Sequence, residues 1–181
     1  MAYIYIEEPK LSKFLFSHTQ IAWFWLLVRV YVGWAWLEAG LAKVGNTAWT
    51  GDHAGSALSG FINGALQKTV GDHPDVQGWY ASFLQHVVLP HAVVWSHMVA
   101  WGEVIVGAAL ILGLLTGIVA FFGLFMNLNY LLAGTVSINP ILFVLAIGLI
   151  LAWKVAGYIG LDRYLLPRLG TPWSTVAVLK Q

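Results

Sequence analysis

Four apolar stretches, at about 21–44, 92–115, 117–134 and 140–157, constrain this 181-residue chain more than any other feature. Each is close to the roughly 20 residues a helix needs to cross a bilayer, where backbone N–H and C=O groups must pair within their own segment. The expected fold is therefore all-α, an integral membrane four-helix bundle forming one domain over 1–181. The Leu114–Gly117 turn, LLTG, is so short that the second and third helices must be antiparallel neighbours. In the third connection, GTVSINP, Asn139 is placed to cap the fourth helix and Pro140 to occupy its first position.

Composition supports the lipid bilayer as the chain's solvent. Hydrophobic residues make up 59% and charged residues 9%, against roughly 25% charged in a soluble domain. A net charge of +1 gives no reason to expect nucleic acid, and the absence of cysteine excludes thiol chemistry and cysteine-ligated clusters. Redox chemistry would need a bound cofactor, a quinone or a partner. The first 20 residues mix charges with aromatics and read as a retained tail rather than a signal peptide.

Lys10 and Lys13 before the first stretch, and Lys154, Arg163, Arg168 and Lys180 towards the end, predict a multi-pass protein of the cell membrane with both termini cytoplasmic. Lys43 and Lys68 then lie outside, in or beside the loop 46–91. That loop is long enough to need its own structure. Val76, Trp79, Tyr80, Phe83, Leu84, Val87 and Val88 recur at helical spacing, as do Leu58, Phe61, Ile62, Ala65 and Leu66. Two short amphipathic helices capping the bundle are expected.

Charges inside the apolar stretches are the candidate functional residues, because each costs roughly 2.5–3.5 kcal/mol to insert at mid-bilayer. Arg29, Gly33, Trp36, Gly40 and Lys43 share one face of the first helix, which should point into the bundle. Glu103 lies near the middle of the second, with Gly107 one turn on. Placing the centres of the two stretches at one depth makes Arg29 the expected partner of Glu103, either as a packing lock or as part of a site. Glu38 points away from Arg29, and Lys43, five residues on, is poorly oriented to reach it. Trp34, Trp36 and Trp101 lie deep, as bundle filler or as walls for a flat aromatic ligand. Asn127 and Asn129 should hydrogen-bond to neighbouring helices. His86, His91 and His97 gather near the start of the second helix, with His53 and His73 in the loop; they show neither a tight ligand spacing nor a facing pair for haem, so no metal site is expected.

The segments from Arg29 to Gly45 and from Glu103 to Gly117 resemble the two signature segments of the DoxX/DoxD-like family of small four-helix membrane proteins. MNLNYLLAGTVSINP, 126–140, looks like the DoxD branch, the small subunit of thiosulfate:quinone oxidoreductase (TQO). Arg29, Gly40, Lys43, Glu103, Gly107 and Gly113 fill the pattern. Gly117 departs from it, since many members carry Arg there. The resemblance implies a membrane subunit tied to quinone reduction in a respiratory chain, working beside a redox partner subunit. On that reading Glu103, Glu38 and Arg29 are the catalytic candidates, and Trp36, Trp101, Lys43 and Asn127 would bind the quinone. The rival expectation is a non-catalytic scaffold or accessory subunit of a respiratory complex, and an oligomeric assembly is compatible with either.

Overall fold

The computed structural model describes residues 7–170; the first six residues of the tail and Lys180 lie outside them. Among the described residues the structure is all helical, with no strand. In chain order the α-helices are α1 (Lys10–Ser17), α2 (Ala22–Val44), α3 (Thr47–Thr50), α4 (Ser56–Leu66), α5 (Gly78–Phe83), α6 (Ala92–Leu112), α7 (Thr116–Leu132), α8 (Asn139–Leu151), α9 (Trp153–Ala156) and α10 (Asp162–Arg168). Two continuous helical stretches, Thr19–Val44 and Gly78–Leu112, are long and apolar enough to cross a membrane; α7 and α8 are shorter apolar helices.

Glycine sets the register of the central pair. A Cβ on Gly33 would stand 3.0 Å from Gly107 O, and one on Gly40 would stand 2.6 Å from Val104 N. A Cβ on Gly107 would fall on the backbone of Leu37. Because only hydrogen occupies these positions, α2 and α6 approach backbone to backbone and run antiparallel, with Gly40 opposite Glu103 and Val104. Slipping this pair by one turn would drive side chains into backbone.

Two cores result. Trp25, Val32, Trp36, Val106, Leu110 and Leu149 belong to the first, among α2, α6, α7 and α8. The second lies under the 46–91 segment, where α4 contributes Leu58, Ile62 and Ala65 and the α5 side contributes Val76, Tyr80, Leu84 and Val88. Both amphipathic helices thus exist, although Trp79 and Val87 face outward. The buried set recurs every fourth residue, and a π turn over Leu84–Val88 sustains that step into Pro90, which has no N–H to offer the upstream turn.

Outward faces of the long helices are also apolar. Trp23, Leu27, Tyr31 and Trp34 on α2, with Ile105 and Met98 on α6 and Phe121 and Phe125 on α7, are all exposed. Exposed large apolar residues gathered on helix faces mark surfaces that meet a membrane or a partner.

The α6–α7 turn is closed from both sides. Gly113, at φ +69°, ends α6 with Leu114 N donating to Ala109 O at 2.9 Å, a pairing that requires a left-handed residue. The carboxylate of Asp162 then accepts from Leu115 N at 2.5 Å and Thr116 N at 2.9 Å, capping α7 from a segment 46 residues further along the chain. At α8 the expected cap differs: Pro140 occupies the first turn, but Asn139 caps nothing. Its Nδ2 donates to Thr135 O at 3.0 Å, and its Oδ1 accepts from Asn127 Nδ2 at 3.1 Å. These two bonds tie α7 to α8 through the Asn127 and Asn139 amides.

Candidate functional site

Glu103 sits on the buried face of α6, 1% exposed, where the register of Gly40 brings α2 close. One helical turn beyond Gly40 on α2, Lys43 reaches across, and its Nζ donates to Glu103 Oε2 at 2.7 Å. From α7 the Tyr130 hydroxyl donates to Oε1 at 2.6 Å. Both oxygens of a carboxylate removed from water are thereby occupied, one by a cation and one by a phenol. This is the single salt bridge among the described residues.

Aromatic rings surround the cation and the phenol. Lys43 Nζ lies 5.2 Å from the centroid of the Trp49 ring and 5.9 Å from that of Tyr130, within the range where a ring face attracts a cation. Trp36, buried at 4% exposure, stacks on Tyr130 with centroids 6.4 Å apart, and Phe61 from α4 meets the same ring edge-on at 5.9 Å. Ser96 Oγ donates to Trp49 O at 2.6 Å, holding α3 against α6. The Tyr130 ring is gripped from three elements, so its hydroxyl has little freedom to leave Glu103.

A largely apolar cavity of about 160 Å³ has Tyr130 in its wall. Leu58 and Phe61 of α4, Tyr80 and Phe83 of α5, and Trp95 and Val99 of α6 form much of its wall, with α7 closing it. Tyr80 OH donates within it to Asn129 O at 3.0 Å.

The expected Arg29–Glu103 bridge does not exist; Lys43 is the cation that Glu103 meets. Arg29 is fully buried at the other end of α2, where its Nη2 donates to Ile159 O at 2.7 Å and its guanidinium packs against Gly113 and Gly160. The reason is register: Arg29 stands opposite Gly113, ten residues or roughly 15 Å along α6 from Glu103. Matching the centres of two apolar stretches misplaced the pair because the glycines, and not the stretch lengths, align these helices. Lys43, Trp36 and Glu103 are brought together. Glu38 is exposed and makes no hydrogen bond or ion pair among the described residues. Trp101, 49% exposed, points outward from α6, as does Trp34 from α2.

Asn127, 1% exposed, lies one turn from Tyr130 on α7; its Nδ2 is bonded to Asn139 while its Oδ1 has no partner. Asn129 instead bonds its own helix and Tyr80. His86 and His97 turn Nδ1 to the carbonyls of Ser82 and Val93, each one turn back at 2.9 Å, and no cluster of three or more potential metal ligands occurs among the described residues.

Tyr130 and Asp162 are the functional or structural residues that sequence reading missed. Tyr130 stands three residues from Asn127 within FMNLNYLLAG, so a polar stripe on α7 could have pointed to it. Asp162 carries no such signal, since its partners are backbone groups. Gly117, where related sequences were expected to carry Arg, lies against α9: a Cβ there would stand 2.6 Å from Trp153 Cβ.

Residues 24–180 match the family described as the TQO small subunit DoxD. No curated protein and no solved structure matches the chain.

Proposed function

Since the chain belongs to the DoxD family, the TQO small subunit, we propose that it is the membrane-embedded, quinone-linked subunit of such an oxidoreductase, working with a partner subunit that delivers electrons. The observation that carries this reading is the Glu103 carboxylate, 1% exposed and held between Lys43 and Tyr130 beside an aromatic cavity. The apolar exterior of α2, α6, α7 and α8 supports a four-helix bundle in the bilayer, and the distribution of Lys and Arg supports cytoplasmic termini.

A quinone supplies a two-electron acceptor that also takes up two protons. The residues present suit that chemistry: rings to flank a flat head group, a phenol at the cavity wall, and a carboxylate behind the phenol that can hold a proton in a dry setting. Lys43 and Tyr130 each hold one oxygen of Glu103, and Tyr130 connects Glu103 to the cavity. A proton arriving on Glu103 would loosen its tie to Lys43, while Tyr130 stays against it. Lys43, 18% exposed, stands at the edge of the buried region and gives Glu103 a route towards water. Arg29 and Glu38 take no part in this reading, and neither does Trp101.

Quinone-dependent turnover of the chain reconstituted with its partner tests the proposal. Glu103→Gln should lower turnover about 100-fold, the scale of a lost acid–base group. A second reading, a non-catalytic scaffold, draws on the full pairing of Glu103 and the glycine-tight α2–α6 contact, which is what a packing lock would show. A co-purifying complex whose turnover survives Glu103→Gln would favour the scaffold.

A further inference from the structure

We infer that a groove at the start of α7, bounded by α8, α9 and α10, holds one acidic membrane phospholipid, with an ester carbonyl at Thr116 and an acyl chain laid along Phe121 and Phe122. The inference takes the bilayer setting from the reading above and none of its quinone chemistry, which lies roughly 20 Å further along α7 at Tyr130.

Unanswered donors are the first argument. Thr116, the first residue of α7, is 0% exposed and its Oγ1 has no hydrogen-bond partner among the described residues, yet the residue forms part of the groove wall. A buried hydroxyl is costly to leave unpaired. Gly117 N and Ile118 N, in the same first turn, also bond to nothing among the described residues; Val119 N is the first amide of the helix to find a carbonyl, that of Leu115 at 2.9 Å. Asp162 is in the same wall, but its two oxygens are taken by Leu115 N and Thr116 N. A ligand oxygen is what these donors lack. Beside a carboxylate, a neutral ester carbonyl suits that place better than a phosphate, which the negative charge would repel.

Shape is the second. The groove measures about 560 Å³ and is largely apolar, with Ile118, Phe121 and Phe122 of α7 across from Ile150, Trp153 and Leu166. Those three α7 residues are each more than half exposed, so the groove opens on the outer surface of the helix, where acyl chains would run. Gly117 keeps its head open: the missing side chain lets a ligand approach the backbone N–H groups closely. Charge is the third argument. Lys154, Arg163 and Arg168 each adjoin a lining residue in the chain, namely Trp153, Asp162 and Leu169. Asp162 is the one acid in 153–170, and it is spent on backbone. Basic residues beside spanning helices select acidic head groups, and tryptophan gathers at head-group level, as Trp153 would here.

Native mass spectrometry of the full chain with its partner subunit is the test, starting from bilayer discs that hold equal amounts of dioleoyl phosphatidylglycerol and dioleoyl phosphatidylcholine. One phosphatidylglycerol per chain should stay bound, favoured about fivefold or more over phosphatidylcholine. Thr116→Val should lower retention of both lipids about fivefold while leaving the unfolding transition in place, because the hydroxyl it removes has no partner in the protein; a fall in stability would assign that hydroxyl to the fold and overturn the inference. Ile118→Trp, on the exposed rim, fills the groove and should lower retention of both lipids as much. Arg163→Gln with Arg168→Gln should instead erase the preference between head groups and leave phosphatidylcholine retention where it was. Equal retention of the two lipids by the wild type, retention indifferent to Thr116→Val and Ile118→Trp, or a cross-link from a photoreactive side chain at Phe122 to residues 171–181 or to a second copy of the chain would overturn the assignment. Quinone-dependent turnover is read separately, so none of these results bears on the quinone-linked reading.

Discussion

Two cations on α2, the half-buried Lys43 and the buried Arg29, face the same neighbouring helix yet are held in opposite ways. Lys43 meets a carboxylate, and that carboxylate meets a phenol, so the Lys43 end of the α2–α6 pair is a chain of side chains with exchangeable protons. Arg29 meets the carbonyl of Ile159, and the nearby acid, Asp162, gives both oxygens to the backbone at the start of α7. Side chains tied to backbone fasten the segment 157–168 across the α6–α7 turn and have no proton to pass on. Burial of a charge alone therefore does not mark a site; the partner type does.

Breaking the pairs one member at a time should expose the difference most strongly. Lys43→Met leaves Glu103 buried without its cation, and a loss of about 3–5 kcal/mol is expected. Adding Glu103→Leu should return most of that stability, because a paired charge replaced by apolar groups removes both desolvation costs, but it should restore no turnover. Denaturant unfolding in detergent, with turnover measured on the same samples, checks both. Asp162→Ala should cost about 2–3 kcal/mol by orphaning two buried N–H groups, and adding Arg29→Met should not recover it. Recovery would show that the two ends are built alike. Tyr130→Phe should cost about 1 kcal/mol in stability, the worth of one hydrogen bond, and at least tenfold in turnover, with ring binding within about threefold of wild type. The smallest effect belongs to Glu38→Gln, which should leave both the unfolding transition and the turnover where they are, because Glu38 is exposed and unpaired among the described residues.

Much of the fold was legible because apolar periodicity and glycine placement are properties of single segments. The amphipathic faces of α4 and α5 and the bundle-facing stripe from Arg29 to Lys43 follow from helical spacing alone. The partner of Glu103 did not, because it depends on how α2 slides along α6. Gly33, Gly40 and Gly107 contain that information, since the closest approach must put glycine against backbone, and aligning them would have set Lys43 beside Glu103. Tyr130 was hidden by its chemistry: in an apolar helix a tyrosine reads as an interfacial or core aromatic until a carboxylate is placed against its hydroxyl. Asp162 was hidden by topology, as nothing local to DRYLLPR indicates that its first residue caps a helix beginning at Thr116.

The central claim is that Glu103 exchanges a proton when the head group is reduced. Infrared difference spectra of the reconstituted complex, oxidised minus reduced, measure this directly. A carboxylic acid band should appear or vanish with reduction in the wild type and be absent in Glu103→Gln, while Asp162→Asn keeps it. Identical difference spectra in the wild type and Glu103→Gln would contradict the account.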